Sequence, residues 1–315
     1  MVHYFKLAGQ RMVLDEASGY TAAVDEITYK MLAYLTLPLP KDCPSAIRYD
    51  MAKYDSELVE KTYAAILSKH KAGCLYTDSA FDENRPLTHC ALPSAASTDT
   101  LERALKEGDN NSDGRCVPVL FSDTDDVLQA QKLCLAAKER GAQVTVLMTK
   151  ECRDPDTAEF LLTCDRLLVP ETLYEAYRNA APAVGVRLAY DVKAPNLLAR
   201  VNAYADAGVT LMDAYPSDPD ACIQGEQTAL IKELGKVAKE LFLRAKEGRG
   251  VAFLPFSMQY RGAKLGVDAF TNTRCKTCSH RMHCGGYPRS EADCEVRRAC
   301  ADAEILLALN ADPKN

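Results

Sequence analysis

The chain has 315 residues, 47% of them hydrophobic and 26% charged, with a net charge of −6. That length predicts one large domain plus a small one, and the composition a normal packed core. The acidic balance argues against nucleic acid as a general partner, because phosphate binding needs a positive surface. No apolar run approaches ~20 residues, so no membrane span or membrane partner is expected. The opening MVHYFKLAGQ has no long apolar stretch after a basic start, so it is not a signal peptide, and a cytoplasmic location is expected.

The first domain is expected over residues 1–77. HYFKLAG and RMVLDEAS are rich in strand formers, and SGYTAAVD supplies a turn and a third short strand. Asp25 then caps a helix, DEITYKMLAYL, whose Ile27, Met31, Leu32 and Leu35 recur at helical spacing. Asp55 or Ser56 starts a second helix with Leu58, Tyr63, Ile66 and Leu67 on one face, and CLYT reads as a terminal strand. Strands, then helices, then a strand outline a winged-helix-like domain.

Residues 78–115 read as a polar linker. From 116 to 262 short apolar strands alternate with amphipathic helices: strands VPVLFS, VTVLMT, RLLVP, VRLAYDV, VTLMDAY and GVAFLPFSM, with helices over 127–141, near 156–163, over 195–206 and over 225–247. That alternation gives parallel βα units in an α/β fold. About six strands predict a partial or reduced (β/α) barrel, with a doubly wound sheet as the alternative. Such architectures place active sites at the strand C-termini, where Asp123, Asp191, Asp213 and Tyr215 are the candidate polar groups. Carboxylates after strands are also ordinary helix caps. No nucleophile–base pair, phosphate loop or HExxH helix supports a defined reaction.

Residues 263–315 form a cysteine-rich tail and a last helix. Thirteen cysteines are many for a reducing compartment, where clustered cysteines point to metal or redox chemistry. Cys43, Cys74, Cys90, Cys116, Cys134, Cys152, Cys164 and Cys222 are scattered and read as small buried hydrophobes. Four others fall into the spacing Cys275-x2-Cys278-x5-Cys284-x9-Cys294. Four thiolates suffice for a [4Fe–4S] cluster or for a structural zinc. Zinc sites usually use two short C-x2-C knuckles and this chain has one, so the longer gaps fit the larger inorganic core better. His280 and His283 keep a mixed Cys/His zinc site open, although both read as solvated or outer groups rather than ligands. Residues 271–300 carry six Lys/Arg against three Asp/Glu, a basic collar suited to an anionic thiolate site. Unligated cysteines packed in a loop are the plain alternative. Cys300 reads as core.

HYFKLAGQRMVLDEASGYTAAVDEITYKML resembles the leader-recognition domain of radical SAM peptide maturases of the thioether-forming type. KELFLRAKEGRGVAFLPFSMQYRG resembles a late barrel unit of those enzymes, and CKTCSHRMHCGGYPRSEADCEVRRACADA the end of their SPASM domain. The resemblance covers about half of the chain. It implies that Cys275, Cys278, Cys284 and Cys294 match the ligands of the second auxiliary [4Fe–4S] cluster. It also implies an extended peptide-precursor leader pairing with the third strand, around Ala22–Val24, and the helix around Glu60–Ser68.

The chain departs from the family at two places. The family's C-x3-C-x2-C loop is missing; THCALPSAAS stands there, with Cys90 alone, and CVPVLFSD replaces its Gly-Gly-Glu-Pro stretch. The first auxiliary cluster's cysteines are missing too, Pro288 standing where one would fall. The expectation is therefore a pseudoenzyme: no S-adenosylmethionine cleavage by this chain alone, leader binding, one auxiliary-type cluster, and an active radical SAM maturase as a hetero-oligomeric partner. A different, non-radical chemistry in the barrel, or an interaction protein stapled by zinc, are the alternatives.

Overall fold

The computed structural model describes residues 2–7, 9–15, 18, 20–76, 92–93, 97, 99, 101–102, 116–121, 127–149, 160–161, 163–218, 220–221, 227–256, 278, 280 and 290–311. The chain falls into two compact units, the first over Met1–Glu83 with Ala311–Asn315 and the second over Asn84–Asn310.

The first unit opens with three antiparallel strands, β1 (Val2–Leu7), β2 (Gln10–Asp15) and β3 (Thr21–Val24), in the order β1-β2-β3. Three helices follow: α1 (Glu26–Leu32), α2 (Ser45–Asp50) and α3 (Ser56–Lys71). The Asp25 and Asp55 carboxylates accept the N–H groups of Thr28 and Leu58 at 2.8 and 3.1 Å, satisfying donors that a helix start leaves orphaned. Val13 and Ala22 of the sheet pack with Ile27, Met31 and Leu32 of α1 and with Val59, Tyr63 and Ile66 of α3. Leu58, expected on the buried face, is 45% exposed, and Val59 takes its place. The expected strand at CLYT is not formed by its described residues. Gly73 adopts φ 70, and the N–H groups of Cys74 and Leu75 return to the Lys69 carbonyl, so the segment completes the C-terminus of α3. Thr77 lies outside the described residues.

The second unit is a mixed α/β body built on a parallel sheet. Its strands are β4 (Leu92–Pro93), β5 (Cys116–Phe121), β6 (Gln143–Met148), β7 (Arg166–Pro170), β8 (Val184–Tyr190), β9 (Leu211–Pro216) and β10 (Ala252–Phe253). They pair parallel and in strict chain order. A doubly wound sheet would reverse direction at a switch point; this one does not. β4 lies inside the stretch read as linker; its two residues pair with Val119 and Leu120. The last strand is shorter than GVAFLPFSM suggests: Leu254–Phe256 form a 3₁₀ turn, and Pro255 has no N–H for the ladder.

Helices among the described residues include α4 (Val127–Glu139), the short α5 (Tyr174–Tyr177), α6 (Leu197–Asp206), α7 (Thr228–Lys246) and α8 (Glu291–Ala311). Of the helix expected near 156–163, Phe160 and Leu161 are described as helical. Val144, Val146, Met148, Leu167 and Val169 pack against Ala130, Leu133, Cys134 and Ala137 of α4. Val186, Leu188 and Met212 pack against α6, α7 and Val296, Cys300 and Ala303 of α8. Right-handed crossovers in a sequential sheet place every connecting helix on one side, and these contacts obey that rule. Alternation then assigns Thr145, Leu147, Leu168, Gly185, Arg187, Leu211, Asp213 and Tyr215 to the opposite face.

That face curls inward. Leu147, Leu168, Leu211 and Leu254 form one buried cluster although their strands run from β6 to just past β10. Gly185 makes the curl possible: a Cβ there would stand 2.2 Å from the Leu211 carbonyl oxygen and 2.9 Å from Leu168 Cδ2. The neighbouring strands therefore close over β8 where a flat sheet would hold them about 9–10 Å apart.

Candidate metal centre and the inner face of the sheet

Of the four cysteines in the C-terminal spacing, Cys278 and Cys294 are described; Cys275 and Cys284 lie outside the described residues, as does His283. Cys294 ends the first turn of α8, with its N–H on the Ser290 carbonyl at 3.0 Å. Ser290 Oγ caps the same turn by accepting the Asp293 N–H at 3.1 Å. A helix N-terminus carries partial positive charge, which favours a thiolate. Arg298, one turn further on, acts electrostatically on the Cys278 thiol.

His280 organises this segment. It is buried, and its Nε2 lies 2.6 Å from Asp302 Oδ1 on α8. The same imidazole hydrogen-bonds the Cys278 side chain. Burial opposes a charged ring, but the hydrogen bonds to Asp302 and Cys278 outweigh it and raise the His280 pKa to about 9. Burial likewise pushes the Cys278 thiol up, and the His280 hydrogen bonds together with Arg298 more than reverse it, leaving its pKa below the ordinary thiol value.

The scattered cysteines behave differently. Burial raises the thiols of Cys134 and Cys164 to about 12 and that of Cys43 above its usual value. Cys300 is buried in the core between α8 and the sheet, as expected. Cys90, Cys152 and Cys222 lie outside the described residues. Among the described residues no three His, Cys, Asp or Glu side chains converge as a metal site. Cys278 and Cys294 are both partly exposed, and the Cys278 thiol is lowered from its ordinary value.

The inner face of the sheet holds the second polar cluster. Arg187 Nε donates to Asp213 Oδ2 at 3.0 Å, and its Nη1 donates to the Met148 carbonyl at 2.8 Å. Its guanidinium lies 4.5 Å from the centre of the Tyr215 ring. Two of the four expected barrel groups, Asp213 and Tyr215, are thus brought together by Arg187, above the layer of four leucines. Asp191 caps a turn instead, accepting the Lys193 N–H at 2.8 Å, and Asp123 lies outside the described residues. Arg187 and Asp302 escaped prediction; His280, read as a solvated or outer group, is buried and paired with Asp302. A lone charge at inward parity inside the apolar strand VRLAY was the available signal for Arg187. Nothing in the local pattern marked Asp302, which belongs to a helix face.

No helix among the described residues is long and apolar enough to cross a membrane. No family model matches the chain, and no curated protein matches it. Solved structures of Streptococcus suis SuiB are similar: the protein itself, its complex with S-adenosylmethionine and its complex with precursor peptide SuiA. Each is 10% identical, covers 80% of this chain and 70% of its own, and superposes with a TM-score of 0.38, 0.38 and 0.37 respectively. At this level of likeness nothing about function follows from it.

Proposed function

We propose that this chain is a degenerate relative of radical SAM peptide maturases. It binds the leader of a ribosomal peptide precursor and carries one auxiliary-type [4Fe–4S] cluster on Cys275, Cys278, Cys284 and Cys294. The observation that carries this reading is the Cys275-x2-Cys278-x5-Cys284-x9-Cys294 spacing; in support, burial raises the Cys134 and Cys164 thiols, while His280 and Arg298 offset burial and lower that of Cys278. A cluster bound there would supply a structural anchor or a one-electron relay. Catalysis would come from an active maturase with which this chain pairs.

The leader would add as a strand to β3, the edge of the small sheet, beside α3 in a winged-helix-like domain. The Asp15 N–H to Tyr20 carbonyl bond of 2.9 Å sets the phase of the β2–β3 ladder. By alternation the Ala22 N–H and C=O face β2, and those of the exposed Ala23 face away from it.

Two measurements test the reading. Anaerobically purified protein should hold about four irons and four sulfides per chain, lost on Cys284→Ser; one zinc and no iron would replace the cluster with a structural staple. Candidate leader peptides should bind in the micromolar range, and Ala23→Pro, which removes an outward N–H while sparing the ladder, should abolish binding. Failure of every leader to bind the wild-type chain would remove the recognition role.

A further inference from the structure

We infer that the Arg187–Asp213 pair on the inner face of the parallel sheet is a binding site for a neutral carboxamide group. The site depends on neither the cysteine cluster nor the leader edge. Leu147, Leu168 and Leu211 belong to one buried cluster, and Arg187 and Asp213 stand two residues further along their strands than Gly185 and Leu211. That step leads towards the C-terminal ends of the strands, where parallel sheets bind ligands. The guanidinium is fixed at three points: Asp213 Oδ2 accepts from Nε at 3.0 Å, the Met148 carbonyl accepts from Nη1 at 2.8 Å, and the Tyr215 ring lies 4.5 Å away. The Arg187 side chain is 9% exposed and that of Asp213 16%. Among the described residues, Arg187 Nη2, Asp213 Oδ1 and the Tyr215 hydroxyl have no hydrogen-bond partner. Two N–H donors and one carboxylate acceptor thus remain on the two members of one ion pair. Polar groups so far removed from water cost free energy when unpaired, and a ligand that pairs them recovers it. The pair also sets the ligand's charge. Arg187 and Asp213 neutralise each other, so a carboxylate at Nη2 would face Asp213, and an ammonium at Oδ1 would face Arg187, where water screens poorly. A carboxamide meets neither charge with a like one: its C=O accepts from Nη2 and its N–H donates to Oδ1.

The amide has two sources, a free small molecule or the asparagine or glutamine side chain of a peptide. The experiment titrates the full chain by NMR with acetamide and acetate, two probes of one shape that differ in charge and in the donor offered to Asp213. A blocked tripeptide with a central glutamine and its glutamate counterpart form the second pair. Each amide should bind about tenfold tighter than its carboxylate, the scale of one hydrogen bond to a charged group. Asp213→Asn keeps an acceptor for Arg187 Nε but puts an NH2 donor in place of Oδ1 and removes the negative charge. The preference should then invert towards the carboxylate. A preference shown by acetamide assigns a free amide, and one shown by the glutamine tripeptide alone assigns a peptide side chain. Equal affinity within both pairs, tighter binding of the carboxylates, or no binding of any probe to the wild-type chain would overturn the inference, whether or not Asp213→Asn folds. An amide preference unchanged in folded Asp213→Asn would overturn it as well, placing the bound amide elsewhere.

Discussion

Arg187 and Asp213 stand side by side on adjacent parallel strands, Nε to Oδ2 at 3.0 Å, with side chains only 9% and 16% exposed. The pair lies on the inner face, where the Met148 carbonyl and the Tyr215 ring complete the arginine's surroundings. Such a pair is expensive to break and cheap to replace, because removing one partner strands the other charge away from water. Arg187→Leu should destabilise the second unit by about 3–5 kcal/mol, whereas Arg187→Leu with Asp213→Leu should recover much of that loss. Urea unfolding of the four proteins of the cycle measures the difference. Additive losses would mean that the two charges are independent.

Gly185 answers to backbone sterics. Gly185→Ala forces a methyl group against the Leu211 carbonyl oxygen at 2.2 Å, and that oxygen belongs to a strand that cannot swing aside. The cost expected for such overpacking is about 1–3 kcal/mol or more. A lowered midpoint in thermal unfolding checks it; an unchanged midpoint would show that the sheet can flatten at β8.

The two kinds of cysteine on α8 should separate in a metal assay. Cys294→Ser should strip the bound metal with little effect on the apo protein's stability. Cys300→Ser puts a hydroxyl into the core beneath the sheet and should cost about 1–3 kcal/mol with metal content unchanged. Metal analysis beside denaturant titration distinguishes them. Equal metal loss in both would place Cys300 among the ligands.

In the first unit, hydrogen bonds from Lys30 and Tyr54 hold the Glu26 carboxyl down at about 2, against an ordinary value of 4.5. The folded value lies below the unfolded one, so the network's stabilisation is present above about pH 4.5 and fades as the pH falls towards 2. Glu26 is solvent-exposed, so the effect is small. The melting temperature of the wild-type chain should exceed that of Glu26→Gln at pH 6, and the gap should close near pH 2. A gap that persists at pH 2 would assign the effect to packing.

The alternation of short apolar strands with amphipathic helices carried the parallel sheet, because buried parallel strands and one-sided helices leave distinct periodicities. Ile27, Met31 and Leu32 stood out as core for the same reason. The seventh strand did not: β4 has two residues, too short to show any period, and its pairing with β5 supplies its place, while β10 was expected but is shorter than GVAFLPFSM suggests. The CLYT segment misled because apolar composition favours a strand while Gly73 and the Lys69 carbonyl turn the chain back. Asp213 and Tyr215 were visible at a strand end, but Arg187, which ties them together, was not.

The cysteine spacing, the acidic charge and the missing C-x3-C-x2-C triplet are properties of the sequence by itself, since they depend on residue identity and interval alone. Which thiols are buried and which are held towards thiolate is a tertiary matter. His280 meets Asp302 across 22 residues, and Arg187 meets Asp213 across 26, through contacts that only the packed helix and the curled sheet create. Long-range side-chain pairing leaves no local period behind, so folding alone decided it.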